Sequence, residues 1–136
     1  MDACLKLVVS SDPRLLRVVR GAVEQFALAL ALSESESCEV TLAVHEAVTN
    51  IIRHAYGDRH GQRVELTCCA QDNTLEFILA DQGQPADPAQ FCARPLGEAK
   101  PGGLGTHIIA QVMDVVDYQR LPQRNQLRLV KYLGKV

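Results

Sequence analysis

The sequence predicts an α+β fold, a two-layer α/β sandwich with helices on one face of a mixed, largely antiparallel sheet. Three observations predict it. Apolar runs broken by turn residues set β-prone and helical stretches in the order β-α-α-β-β-α-β-β. The strands fall mostly in hairpins while the helices cluster, unlike the strict alternation of a doubly wound parallel sheet. The 136 residues are 47% hydrophobic and 22% charged, a composition that suits one globular domain, 1–136, with a real core.

Each element has a local reason. Residues 4–9, CLKLVV, form a short β-prone run that ends at Ser10-Ser11-Asp12-Pro13. That cluster offers a Ser or Asp N-cap with Pro at the first helical position. From Arg14 to about Leu32, residues Leu15, Leu16, Val19, Val23, Phe26, Ala27 and Leu30 recur at helical spacing. Ser33-x-x-Glu36 then makes a capping box for a second helix that runs to Tyr56. In that helix Val40, Val44, Val48, Ile51 and Ala55 form one apolar stripe, with Glu46, Asn50 and Arg53 on the opposite side.

Gly57-Asp58-Arg59-His60-Gly61 breaks the helix. Residues 63–70 and 74–80 read as two strands of a hairpin around Gln71-Asp72-Asn73. Asp81-Gln82-Gly83-Gln84-Pro85 ends it abruptly, and a Pro-containing stretch of about twenty residues follows, up to Lys100. A loop that long inside a compact domain is usually functional. Pro101-Gly102-Gly103-Leu104-Gly105-Thr106 opens a third helix through Met113. Two further β runs, Val115 to Arg120 and Leu127 to Leu133, flank the turn LPQRNQ.

Composition excludes several classes of function. A formal net charge of −2 gives no electrostatic reason for nucleic acid or an anionic membrane as partner. No apolar run approaches the roughly 18 to 20 residues that a membrane span needs. The start MDACLKLVVSSDPR lacks a signal-peptide core. Cys4, Cys38, Cys68, Cys69 and Cys92 are odd in number and lack CxxC spacing, so they read as small buried hydrophobes in a reducing cytoplasm.

Three pieces carry candidate chemistry. Glu46 and Asn50 offer a carboxylate for proton transfer and a neutral oxygen for Mg²⁺, although a solvated helix face has the same pattern. Asp81-x-Gly83 at a strand end is a common turn former, and its carboxylate can also accept from an exocyclic amine. The glycines at 102–105 read as a flexible loop end or as a helix start whose N–H groups and dipole hold a phosphate. His45, His54 and His107 lack the spacing of a metal site. Cys68 and Cys69 face opposite sides of a strand, which disfavours a vicinal redox pair.

In order and separation these pieces resemble the GHKL (Bergerat-fold) ATP-binding domains, and among them the small anti-sigma-factor serine/threonine kinases of the RsbW and SpoIIAB type. The resemblance spans essentially the whole chain: HEAVTNIIRHAYG (45–57) is similar to the N-box, DQGQPADP (81–88) to the first glycine box, and PGGLGTHII (101–109) to the second. It implies that Glu46 is the catalytic carboxylate, Asn50 the Mg²⁺ ligand and Arg53 a basic residue near the phosphates. It implies that Asp81 reads adenine and that Gly83 lets the base lie close. Gly103, Leu104, Gly105 and Thr106 would form the phosphate-side loop and helix start, with residues 84–102 as the ATP lid.

Two departures from the family pattern stand out. Pro101 occupies the place of an arginine that the branch associates with the γ-phosphate, and Lys100 or Arg94 is the nearest substitute. Pro85 stands where histidine kinases have a second glycine. The resemblance therefore implies a cytoplasmic kinase using ATP and Mg²⁺ that phosphorylates a STAS-domain anti-anti-sigma protein and regulates a sigma factor by partner switching, with a homodimer as a further assembly. The alternatives are an ATP-binding switch without kinase activity and a detached histidine-kinase ATPase domain.

Overall fold

The structure is a computed structural model and describes residues 2–91 and 104–133. Among the described residues three α-helices, α1 (Leu16–Ala29), α2 (Glu34–Asn50) and α3 (Leu104–Val112), accompany five strands. The strands are β1 (Ala3–Ser10), β2 (Arg63–Gln71), β3 (Thr74–Asp81), β4 (Val115–Leu121) and β5 (Arg124–Tyr132). They form one sheet in the order β1-β2-β3-β5-β4. All four pairings are antiparallel, so the parallel component of the expected mixed sheet does not occur among the described residues.

Local signals start the helices as expected. The Asp12 side chain accepts from the Arg14 N–H at 2.9 Å and caps a 3-10 turn, Pro13–Leu15, that leads into α1. At α2, Ser33 Oγ accepts from the Glu36 N–H at 3.0 Å and Glu36 Oε1 accepts from the Ser33 N–H at 3.1 Å. This reciprocal pair satisfies two of the donors that every helix start leaves open.

The second helix is not one α-helix to Tyr56. The chain passes into a π-turn, Ile51–Ala55, in which the Tyr56 N–H reaches the Ile51 carbonyl at 3.0 Å. Ile51, Ile52, Ala55 and Tyr56 are all buried along this wider turn. Arg53, inside the π-turn, therefore leaves the α register that would align it with Glu46 and Asn50.

The core lies between helices and sheet. Val40, Val44 and Val48 of α2 share it with Leu66, Phe77, Leu79 and Leu129 from the sheet. Burying each such side chain contributes roughly 1.5–3 kcal/mol. On the outer face of the sheet, Glu65 pairs with Lys6 at 3.0 Å and with Arg63 at 3.1 Å, and Arg128 pairs with Glu76. The cysteines divide between the faces: Cys68 is buried, whereas Cys69 is half-buried and Cys4 and Cys38 are exposed. The expectation of buried cysteines thus holds for Cys68 and fails for Cys4 and Cys38, while Cys92 lies outside the described residues.

Turn chemistry decides two registers. Asp72 and Asn73 both take positive φ (49° and 60°), as a two-residue turn with the twist of a hairpin requires, and they set β2 against β3. The second hairpin is tighter than expected, because Leu121 already pairs with Arg124 and only Pro122 and Gln123 turn. The expected six-residue turn LPQRNQ is therefore mostly strand, and Asn125 enters the sheet beside β3.

Candidate functional site

The site is built around the end of β3. Asp81 is only 6% exposed, and its Oδ1 accepts from the Gly83 N–H at 2.9 Å and from Asn125 Nδ2 at 2.9 Å. Burial pushes the Asp81 carboxyl above the ordinary aspartate range, while the Asn125 and Gly83 hydrogen bonds hold it back. Oδ2 has no hydrogen-bond partner among the described residues. The outcome is a fixed, half-satisfied carboxylate whose second oxygen is free to accept one more donor.

Asn125 is the residue that the sequence reading missed. It is the direct register partner of Asp81, is 5% exposed, and also donates to the Gly83 carbonyl at 3.0 Å. A two-residue turn at Pro122-Gln123 was hard to foresee, since neither residue favours the positive φ of such turns. The alternation of Asn125, Leu127 and Leu129 was the available signal.

The segment after Asp81 is pinned from three sides. Tyr56 Oη accepts from the Gln82 N–H at 2.7 Å and donates to the Arg63 carbonyl at 2.6 Å. The Gln84 N–H donates to the Ala55 carbonyl at 2.7 Å, an acceptor that lies at the end of the π-turn. The Ala86 N–H donates to Tyr118 Oη at 2.7 Å. Burial raises both tyrosine hydroxyls above their usual range, so both remain protonated donors at neutral pH.

Gly83 is required by this stitching. A Cβ there would collide with the Ala55 carbonyl and stand 2.9 Å from Tyr56 Cδ1. What comes close to Gly83 is thus the backbone of the π-turn. Through that contact and the Gln84 bond, the end of the helix that carries Glu46 and Asn50 is fastened to the segment that follows Asp81.

Glu46 and Asn50 are half-buried one turn apart on α2, and Arg53 is exposed on the π-turn. None of the three has a hydrogen bond or ion pair with another described residue, so their polar atoms are uncommitted. Leu104, Gly105 and Thr106 form the first turn of α3, which packs beside α2. Lys100, Gly103, Arg94 and Pro101 lie outside the described residues, as does the expected lid beyond Phe91. Among the described residues no group of three His, Cys, Asp or Glu side chains could hold a metal. Mg²⁺ does not need one, since it keeps several waters and takes a few oxygens from protein and phosphate. The Asn50 amide, half-buried and uncommitted, fits that demand.

Comparison with known proteins gives this geometry a context. The family model described as "Histidine kinase-like ATPase domain" matches residues 9–131. The serine/threonine-protein kinase BtrW of Bordetella bronchiseptica is 33% identical over 68% of this chain and 68% of its own length. An anti-sigma F factor of Oceanobacillus iheyensis is 31% identical over 85% of this chain and 83% of its own. Among solved structures, the RsbU and RsbW domains of a Mycobacterium tuberculosis protein superpose with a TM-score of 0.71 at 15% identity. That match covers 98% of this chain and 33% of the other, and it supports the fold.

Proposed function

Because this chain belongs to the histidine kinase-like ATPase domain family, in the branch of the anti-sigma F factors and RsbW-type serine kinases, we propose that it is an ATP-dependent serine/threonine protein kinase. Its substrate is the serine of a STAS-domain anti-anti-sigma protein, and through that partner it regulates a sigma factor in the cytoplasm. One observation carries the nucleotide reading: Asp81, buried and fixed through Oδ1 by Asn125, keeps Oδ2 open for the exocyclic amine of adenine.

The remaining roles follow from position. The Asn50 amide oxygen would hold Mg²⁺, and Arg53, exposed on the π-turn that follows, would reach the phosphates from there. Mg²⁺ bound with ATP would neutralise charge that develops on the phosphate oxygens during transfer. Glu46, one turn before Asn50, accepts the proton of the substrate hydroxyl. Gly103, Leu104, Gly105 and Thr106 present backbone N–H groups to the phosphates at the start of α3. Residues 84–102 form a lid within the single domain 1–136, rooted by the Gln84 and Ala86 hydrogen bonds, and Lys100 supplies a cation from it. A homodimer is the assembly we propose.

A second reading has its own support. Pro101 stands where the branch carries an arginine, and without a cation there the transferred group is less well neutralised. The chain would then bind ATP and switch partners without transferring phosphate. Labelled ATP, Mg²⁺ and a STAS protein from the same organism separate the two readings. Label reaching the STAS protein with the wild type and lost in Glu46→Ala supports the kinase. ATP binding with no transfer by the wild type leaves the switch.

A further inference from the structure

Cys4 and Cys69 are register partners across the β1–β2 ladder. Both point to the outer face of the sheet, because their strand neighbours Leu5, Cys68 and Ala70 turn toward the helices. Residues directly opposite in antiparallel strands have Cα atoms about 4.5 or 5.5 Å apart, and both values fall inside the range of about 4.4–6.8 Å that a disulfide accepts. The Cys4 thiol lies beside Cys69 and, together with burial, pushes it up to about 11. Cys4 is exposed and is the thiol that an oxidant reaches first.

We propose that Cys4 and Cys69 are a reversible oxidation site, closing to a disulfide in response to a peroxide and reopened by dithiols. The Cys4 thiolate attacks a peroxide oxygen and the O–O bond breaks. The leaving hydroxide takes up a proton and departs as water, which leaves a sulfenic acid on Cys4. The Cys69 sulfur then attacks the Cys4 sulfur, the S–O bond breaks, and the departing hydroxide takes the Cys69 proton as a second water. Two thiols and one hydrogen peroxide become one disulfide and two waters; sulfur is oxidised by two electrons and peroxide is reduced. An external dithiol reverses the bridge by exchange, and an exposed bridge is of the labile kind. The two other described cysteines do not compete: Cys68 is buried on the opposite face with its thiol pushed up to about 12, and Cys38 lies on α2 in the other layer.

The bridge would tie the edge strand β1 to β2, and the site is independent of the kinase reading. The test treats the full chain with hydrogen peroxide and follows free thiols, non-reducing peptide maps and melting temperature. The expected result is a linked Cys4–Cys69 peptide, loss of two thiols per chain and a higher melting temperature, all reversed by dithiothreitol. Cys4→Ser and Cys69→Ser should each abolish the linked peptide, and Cys38→Ser should keep it. Over-oxidation of Cys4 with Cys69 left free, or intermolecular disulfides in place of the linked peptide, would overturn the proposal.

Discussion

Asn125 faces Asp81 across the β3–β5 ladder and donates from Nδ2 to Oδ1 at 2.9 Å, so one strand supplies the carboxylate and the next one orients it. Replacing Asn125 with Ala removes this donor and the bond to the Gly83 carbonyl together. The buried carboxylate then keeps only the Gly83 N–H, a change expected to cost about 1–3 kcal/mol of stability. Melting curves check that loss, and titration calorimetry should show ATP affinity falling with it.

Asp81→Asn tests the nucleotide reading directly. If Oδ2 accepts from adenine, an amide that can turn its NH₂ toward the base should weaken ATP binding by about 10- to 100-fold, the value of a hydrogen bond to a charged group. Calorimetry with ATP gives the affinity, and circular dichroism verifies that the variant is folded. An unchanged affinity would remove Asp81 from the site.

The same carboxyl predicts a pH signature. Burial raises its native pKa above the unfolded value of about 3.9. Between those two values the folded chain holds a proton that the unfolded chain has released. The Asp81 contribution to stability therefore falls as pH rises through that interval and is constant above it. Urea denaturation across acidic pH should show this slope in the wild type relative to Asp81→Asn.

Gly83→Ala should destabilise the chain without touching any functional side chain. The added methyl meets the Ala55 carbonyl, which is backbone and cannot rotate away. Overpacking of this kind costs about 1–3 kcal/mol. The loop from Asp81 to Ala86 must shift, so ATP affinity and melting temperature should fall together.

Tyr56→Phe isolates the hydroxyl that links Gln82 to Arg63. Its removal leaves one N–H and one carbonyl without their partner, again worth about 1–3 kcal/mol. Hydrogen exchange should quicken at Gln82 and stay slow at Phe77 and Leu79 in the middle of β3.

The sequence by itself determined the elements and their faces. Val40, Val44 and Val48 are buried where helical spacing put them, Ser33 and Glu36 cap α2, and Asp72-Asn73 turns the first hairpin. These are local matters of period, cap and turn residue, and they are legible in a window of a few residues. The candidate residues Glu46, Asn50 and Asp81 were legible too, through the order of three short motifs. Tertiary structure decided what surrounds them. That Asn125 holds Asp81, that Cys4 faces Cys69 and that Gly83 packs on Ala55 depend on strand register and on a π-turn. Register comes from the competition of whole strands for one buried face, and the π-turn sets the Ala55 carbonyl against Gly83 and the Gln84 N–H, residues far along the chain. No short stretch of sequence contains either decision.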